Sequence, residues 1–484
     1  MNGDRSFFGH PLGLATLFFT EMWERFSYYG MRAFLILYMV HALGFDDKHA
    51  GRVYGNYTAG VWAAAIVGGI IADWWLGQYR SVLIGGIIIA LGHFTLAFHP
   101  LPFFYVGLSL IVVGTGLLKP NVSGIVGGLY EPGDARRDAG FSIFYMGINL
   151  GAFIAPLVCG YLGQRVNWHV GFAAAGVGMT LGIVQYVLGG KYLGDAGLYP
   201  APAESAAAAA KLRRRVTAWG IATILVVAAL AVGIYAGIVP ISARQISDGA
   251  GYFLLLVMLG FFGWLFYGGD WTPAERKRLF AIGVLFLASM IFWSEFEQAG
   301  STLNLFGDRA TRTEILGWQF PSSYYQSLQP LFIIAFAPAF AWLWLRLGSR
   351  EPSSPAKFGI GLLFVGAGFA VVAVAADLSA AGVKVSPWWL VVTYLLHTFG
   401  ELSLSPVGMS AVTKLAPMRV TGLMMGLWYL GISVGNFIGG RLAALYGSMA
   451  LTTLFGLIAA VGIGVGLIMF ALTPPIKRLM GNVN

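Results

Sequence analysis

Glu21-Met22-Trp23-Glu24-Arg25-Phe26-Ser27-Tyr28-Tyr29-Gly30 puts two carboxylates and a guanidinium inside an apolar stretch running from about residue 12 to 42. A charged side chain at the centre of a bilayer costs roughly 2.5–3.5 kcal/mol on insertion scales, so such a cluster persists only where it faces partners or water inside the protein. On a helix, Glu21, Glu24, Arg25, Tyr28 and Arg32 recur at i, i+3, i+4, i+7 and i+11, which places them on one face. This polar stripe reads either as a salt bridge tying two helices together or as a proton or ion relay beside a polar substrate.

The solvent follows from composition. Hydrophobic residues make up 57% of the 484 and charged residues 11%, whereas soluble domains carry roughly 25% charged residues; mean hydropathy is +0.74. This is the composition of an integral membrane protein. The first apolar run is too long and too polar on one face for a cleavable signal peptide, so the first helix is expected to stay. Cys159 is the only cysteine, which excludes an internal disulfide, paired-cysteine redox chemistry and a cysteine metal cluster.

Apolar stretches near 20 residues long predict fourteen membrane spans, near 12–42, 52–76, 81–98, 102–127, 138–163, 171–192, 214–238, 250–268, 278–305, 320–347, 356–377, 387–415, 419–446 and 449–472. Their connections carry 19 Lys and Arg on one side, among them Arg5, Arg136, Arg137, Arg213 and Arg419, and 7 on the other, among them Lys48, Arg52 and Arg244. The basic side is expected to be cytoplasmic, with both termini there. Arg25, Arg32, Lys119 and Arg441 remain at membrane depth and require partners. The net charge of +9 is thus a topology signal, and anionic lipid headgroups suffice for the basic runs Lys211 to Arg215 and Arg276 to Arg278, with no nucleic acid.

A polar connection near 193–213, containing Pro200-Ala201-Pro202, reads as a linker that separates six spans from a pair, after which six more follow. The expected architecture is all-α: a bundle over 1–198, a linker and inserted hairpin over 199–277, and a second bundle over 278–484. Gly68-Gly69-Ile70-Ile71-Ala72-Asp73, with Gly77 and Arg80 beyond, offers small residues for close helix approach and an expected charge pair. It resembles the loop signature of the major facilitator superfamily. Pro120, Pro156, Pro330, Pro338 and Pro406 are expected to interrupt their helices.

Further polar groups fall inside the spans. Lys119, in Gly114-Thr115-Gly116-Leu117-Leu118-Lys119-Pro120-Asn121, must snorkel to the cytoplasmic edge or find a partner. Tyr145 and Asn149 stand one turn apart. Trp293, Glu297 and Ser301 share a face of the span containing Phe292-Trp293-Ser294-Glu295-Phe296-Glu297-Gln298, from which Glu295 turns away, as for a structural or outer-gate role. Glu401 and Ser405 share a face, and Trp428 adds an aromatic wall. Aspartate-rich metal motifs, zinc-binding histidine pairs and a nucleophile elbow are missing from the sequence, so neither an enzyme nor a bound metal or organic cofactor is expected.

Over nearly the whole chain these motifs resemble the proton-dependent oligopeptide transporters, or peptide transporter family, of the major facilitator superfamily. Glu21 to Gly30 is similar to that family's first-helix motif, Phe141 to Pro156 to its fifth-helix signature, and the hairpin near 214–268 to that of bacterial members. The resemblance implies proton-driven import of di- and tripeptides across the bacterial inner membrane by alternating access, with the proton as coupling ion and lipids as surroundings. It implies that Arg32 and Lys119 face the peptide carboxylate, Glu401 its amine, and Tyr29 and Asn149 its backbone, with Trp293 and Trp428 shaping side-chain pockets. Glu21, Glu24, Arg25 and Glu297 match positions implicated in proton coupling, where protonation would weaken pairing with Arg25 or Lys119.

Two departures bear on selectivity. Trp62 replaces an expected tyrosine and removes a hydroxyl from the site, and Gln329 replaces an expected asparagine with a longer amide. Tyr145, Ser405, Trp62 and Gln329 join the expected substrate-binding set. His397, one turn before Glu401, reads as a proton-sensitive neighbour or as hydrogen-bonded structure. A proton-coupled transporter of a nonpeptide anion or metabolite is the rival reading, because a fold does not fix its ligand.

Overall fold

The computed structural model describes residues 6–131, 133–200, 206–235, 238, 240, 243–417 and 420–481. Arg5, Arg419 and the linker residues Ala201 and Pro202 lie outside these, as do the side chains of Arg213 and Arg244. The helices are α1 (Leu12–His41), α2 (Asp47–Ile71), α3 (Gln78–Leu96), α4 (Leu101–Gly128), α5 (Arg137–Ala155), α6 (Trp168–Gly189), α7 (Ala206–Tyr235), α8 (Ala243–Tyr267), α9 (Pro273–Phe296), α10 (Thr302–Arg309), α11 (Leu328–Leu347), α12 (Ser354–Ser379), α13 (Trp388–Leu415), α14 (Thr421–Ala443) and α15 (Leu451–Met480). All but the short α10 answer to the fourteen expected spans. Among the described residues, ten are long and apolar enough to cross a membrane.

Helices α1 to α6 form one half, in which α1 packs on α5 and α6, and α4 on α2 and α3. Helices α9 to α15 form the other, with α12 against α13 and α15, and α9 against α14. The halves meet where α2 packs on α14 and α5 on α11. Helix α8 leans on α2, α9 and α14 and turns Tyr252, Phe253, Leu256 and Leu259 outward, as a lipid-facing surface allows.

Local sequence explains the breaks. Pro156 has no N–H to give the preceding turn, and there α5 widens into π-helical turns over Pro156–Gly160 and Leu162–Val166. Pro120, Pro338 and Pro406 were expected to interrupt their helices as well, but α4, α11 and α13 run on through them. Pro330 is the third residue of α11, where the missing N–H interrupts nothing. Gly77, at φ +76°, ends the wide turn Ala72–Leu76. Gly68 provides the expected close approach, since a Cβ there would lie 2.0 Å from the Gly116 carbonyl oxygen of α4. The expected Asp73–Arg80 charge pair does not form, as both side chains are exposed to water, where pairing gains little.

Two features depart from a uniform set of spanning helices. The span expected over 278–305 is divided, because α9 tightens into a 3-10 turn at Glu297–Gly300 before α10. A two-stranded hairpin, Glu314–Ile315 against Trp318–Gln319, follows α10.

Ties between the halves gather from mid-depth toward the end where α1 finishes. There Asp47 accepts two hydrogen bonds from Arg309 at 2.7 and 2.8 Å, and His41 meets Asp308 at 2.8 Å. Gln164 donates to Ser322 at 2.8 Å, and Asn304 to the Ala33 carbonyl at 2.7 Å. Gly55 and Gly440 touch across the seam, where a Cβ on Gly55 would lie 2.4 Å from the Gly440 Cα.

Candidate substrate and proton site

Helix α1 satisfies most of its own charge. Arg25 bonds its neighbour Glu24 and lies 3.4 Å from Glu21 one turn back, all three being buried. Its guanidinium also sits 5.0 Å from the Tyr28 ring centroid and 5.9 Å from that of Tyr29, within reach of their negative faces. The stripe inferred from spacing therefore exists, and it is chiefly an intrahelical ion cluster.

Two turns further along, Arg32 reaches out of its half. It pairs with Glu297 at 2.5 Å and donates from Nε to the Tyr54 hydroxyl at 2.6 Å. The expected partner of Glu297 was Arg25 or Lys119; the structure instead pairs it with Arg32, because the turn at Glu297–Gly300 brings its carboxylate against α1 and α2. Gln298 anchors that turn by donating to the Gly439 carbonyl of α14 at 2.8 Å. Tyr29 lies beside both arginines, 5.5 Å from the Arg32 guanidinium.

Lys119 has an aromatic partner. Its ammonium lies 4.5 Å from the Trp62 ring centroid and near enough to Glu21, Glu24 and Arg25 to interact electrostatically with them. Trp62 in turn stacks on Tyr429 of the other half at 5.7 Å. Trp62 thus exchanges the hydroxyl of the expected tyrosine for an indole face that holds a cation.

The second half contributes a carboxylate with a neutral partner. Glu401 of α13 accepts a hydrogen bond from Gln329 of α11 at 3.1 Å; the longer amide of Gln329 spans this gap. Tyr29 and Tyr145 both lie within electrostatic range of Glu401. Tyr145 is 41% exposed. Asn149 donates to the Tyr145 backbone carbonyl at 3.0 Å, and Ser405 lies one turn beyond Glu401, half-buried.

Trp293 and Trp428 are almost enclosed. The tip of the Trp428 ring fills the space beside Gly408 of α13, and the Trp293 Cβ lies against Gly435 of α14. His397 likewise packs against Phe369 and Gly368, and Glu295 is buried facing Gly462 of α15. Arg441, expected at membrane depth, lies instead in the last turn of α14, partly exposed, and pairs with Asp248 of α8 at 2.7 Å.

Two residues of this network escaped sequence reasoning. Tyr54 shares a face of α2 with Trp62, two turns away, and that spacing was the available signal. Tyr429, the neighbour of Trp428, stacks on Trp62, and adjacent residues on a helix differ by about 100° of rotation. Among the described residues, His, Cys, Asp and Glu side chains form no group of three able to hold a metal ion.

A family model described as POT family matches residues 79–198 and 271–461. The chain belongs to the POT family. Its membrane architecture is that of the major facilitator superfamily. This POT protein is 42% identical to an "Uncharacterized transporter YclF" of Bacillus subtilis over 99% of the chain and 97% of the relative. It is 41% identical to the "Peptide transporter YePEPT" of Yersinia enterocolitica, again over 99% and 97%. A crystal structure of a peptide transporter POT mutant in complex with alafosfalin superimposes with a TM-score of 0.90 at 43% identity, covering 99% of this chain and 97% of that one.

Proposed function

We propose that this POT protein is a symporter, and no enzyme, that imports di- and tripeptides together with protons across the bacterial inner membrane. The observation that carries this is the distribution of charge: Arg32 and Lys119 belong to one half, Glu401 to the other, as a zwitterion with fixed termini requires. The peptide carboxylate meets the cations, its amine meets Glu401 and Gln329, and its backbone meets Tyr29, Tyr145 and Asn149. Ser405 extends the polar wall. Trp62 supplies an apolar wall whose shape Trp293 and Trp428, nearly enclosed, set by packing behind it, and contact without direction tolerates many side chains.

Proton coupling follows from the pair that crosses the halves. Protonating Glu297 removes the charge that holds Arg32, releasing one tie between the halves and freeing Arg32 for the peptide carboxylate. Glu24 and Glu21 offer a second protonatable pair around Arg25. With both termini cytoplasmic, the end rich in ties is external, and those ties support a reading in which the outer end is closed. In this reading 1–198 and 278–484 move against each other, and 199–277 is the insertion between them. Metal and organic cofactors play no part in the scheme, lipids surround it, and the proton is the coupling ion.

Uptake of labelled alanine dipeptide into proteoliposomes, with and without an inward proton gradient, tests this. Accumulation driven by the gradient and abolished by unlabelled dipeptide is expected. Correctly inserted protein that takes up none, or whose uptake is displaced by a nonpeptide anion and not by dipeptide, would transfer the assignment to the rival substrate class.

A further inference from the structure

We propose that Asp248, on the inserted hairpin, is a positioning residue for the outer gate: it binds Arg441 beside the α2–α14 seam and thereby offsets repulsion between one arginine from each half. The inference rests on the alternating-access reading.

The seam itself is neutral and close-packed. Gly51 lies against Ala443 and Ala444, and Gly55 against Gly440. Immediately beside it stand Arg52, one residue after Gly51 on α2, and Arg441, one residue after Gly440 on α14. Arg52 is close enough for its charge to act unfavourably on Arg441. Two nitrogens of this pair, Arg52 Nε and Arg441 Nη1, are buried without a hydrogen-bond acceptor. Closing the seam therefore brings two like charges together in a partly dehydrated place.

Helix α8 counters this. Asp248 accepts from Arg441 at 2.7 Å, and one turn on, the Phe437 ring packs directly over Gly251, where a Cβ would lie 1.8 Å from the ring. Arg441 also lies 4.5 Å from the Phe437 centroid, so the guanidinium is fixed between a carboxylate and an aromatic face. Because α8 packs on both α2 and α14, its carboxylate is delivered only where these helices adjoin. When the seam opens, Arg52 and Arg441 separate and Asp248 has less repulsion to offset, so the hairpin stabilises the closed outer end selectively.

The test is a distance measurement between spin labels on cysteines introduced at Lys48 and Ser448, both exposed and on opposite sides of the seam, in protein reconstituted into lipid nanodiscs. The buried Cys159 stays unlabelled. The partly exposed ion pair sets the scale: Asp248→Asn should raise the open-to-closed ratio about three- to fivefold. Adding Arg52→Leu should restore it, because the repulsion is then gone. An unchanged ratio in Asp248→Asn, or a double variant that stays open while remaining monodisperse, would overturn the proposal. If Asp248→Asn does not fold, Arg52→Leu alone must lower the ratio, and failure to do so would also overturn it. No peptide enters this readout, so a wrong substrate assignment leaves it intact.

Discussion

The two halves handle buried charge in different ways. In the first half, Arg25 has Glu21 and Glu24 on its own helix, and Lys119 has the face of Trp62. In the second, Glu297 takes its cation from α1 of the other half, and Glu401 is met by the neutral amide of Gln329. A cluster satisfied within one helix survives any rigid movement of that helix. A pair that spans the halves is made or broken by the movement itself. Stability should therefore reside mainly in the first arrangement and conformational coupling in the second.

The sharpest way to break this comparison is Arg25→Leu, which leaves two carboxylates buried around a vanished cation. A loss of about 3–5 kcal/mol is expected, read as a large fall in the thermal unfolding midpoint in mild detergent and poor recovery of folded protein. If Arg25→Leu unfolds no earlier than wild type, the cluster is not structural. Arg32→Leu is expected to differ in kind: its partner Glu297 can regain water as the halves separate. Folding should be retained while dipeptide uptake falls about 100-fold, from the loss of a buried charged contact worth roughly 3 kcal/mol. Similar unfolding midpoints for the two variants would erase the distinction.

A smaller effect is expected for Glu401→Gln. The neutral amide can still meet Gln329, so the unfolding midpoint should stay near that of wild type, but the charge facing the peptide amine is gone. KM for dipeptide should rise about 10- to 100-fold, the range of a hydrogen bond to a charged group, and a peptide lacking its amino group should be much less affected. The mildest change is Gln329→Asn, which shortens the amide that reaches Glu401. KM should rise about two- to fivefold, in line with one ordinary hydrogen bond. A larger effect than that of Glu401→Gln would mean that Gln329 contacts the peptide itself.

Much of this was legible in the sequence. Fourteen long helices follow from apolar length, since the bilayer imposes that length on any span. The α1 stripe follows from helical period, and the need of Arg25, Arg32 and Lys119 for partners follows from their depth. The partners themselves were harder to read. Asp248 lies 193 positions from Arg441, and Glu297 meets Arg32 only because α9 tightens after Phe296; neither distance nor turn has a local signature. Trp428 and Tyr429 show the same limit at its smallest scale: neighbours differ by about 100° of rotation, and Trp428 packs on Gly408 while Tyr429 stacks on Trp62.

Glu297 is the carboxylate whose protonation is proposed to release the halves, with Glu24 as the alternative. The most direct test measures dipeptide accumulation in proteoliposomes under an inward proton gradient, alongside exchange of internal for external dipeptide without a gradient, in wild type, Glu24→Gln and Glu297→Gln. Glu297→Gln is expected to abolish accumulation above equilibrium while exchange continues, because the substrate site survives and the proton-dependent tie does not. Gradient-driven accumulation at the wild-type level in both variants would contradict this proposal.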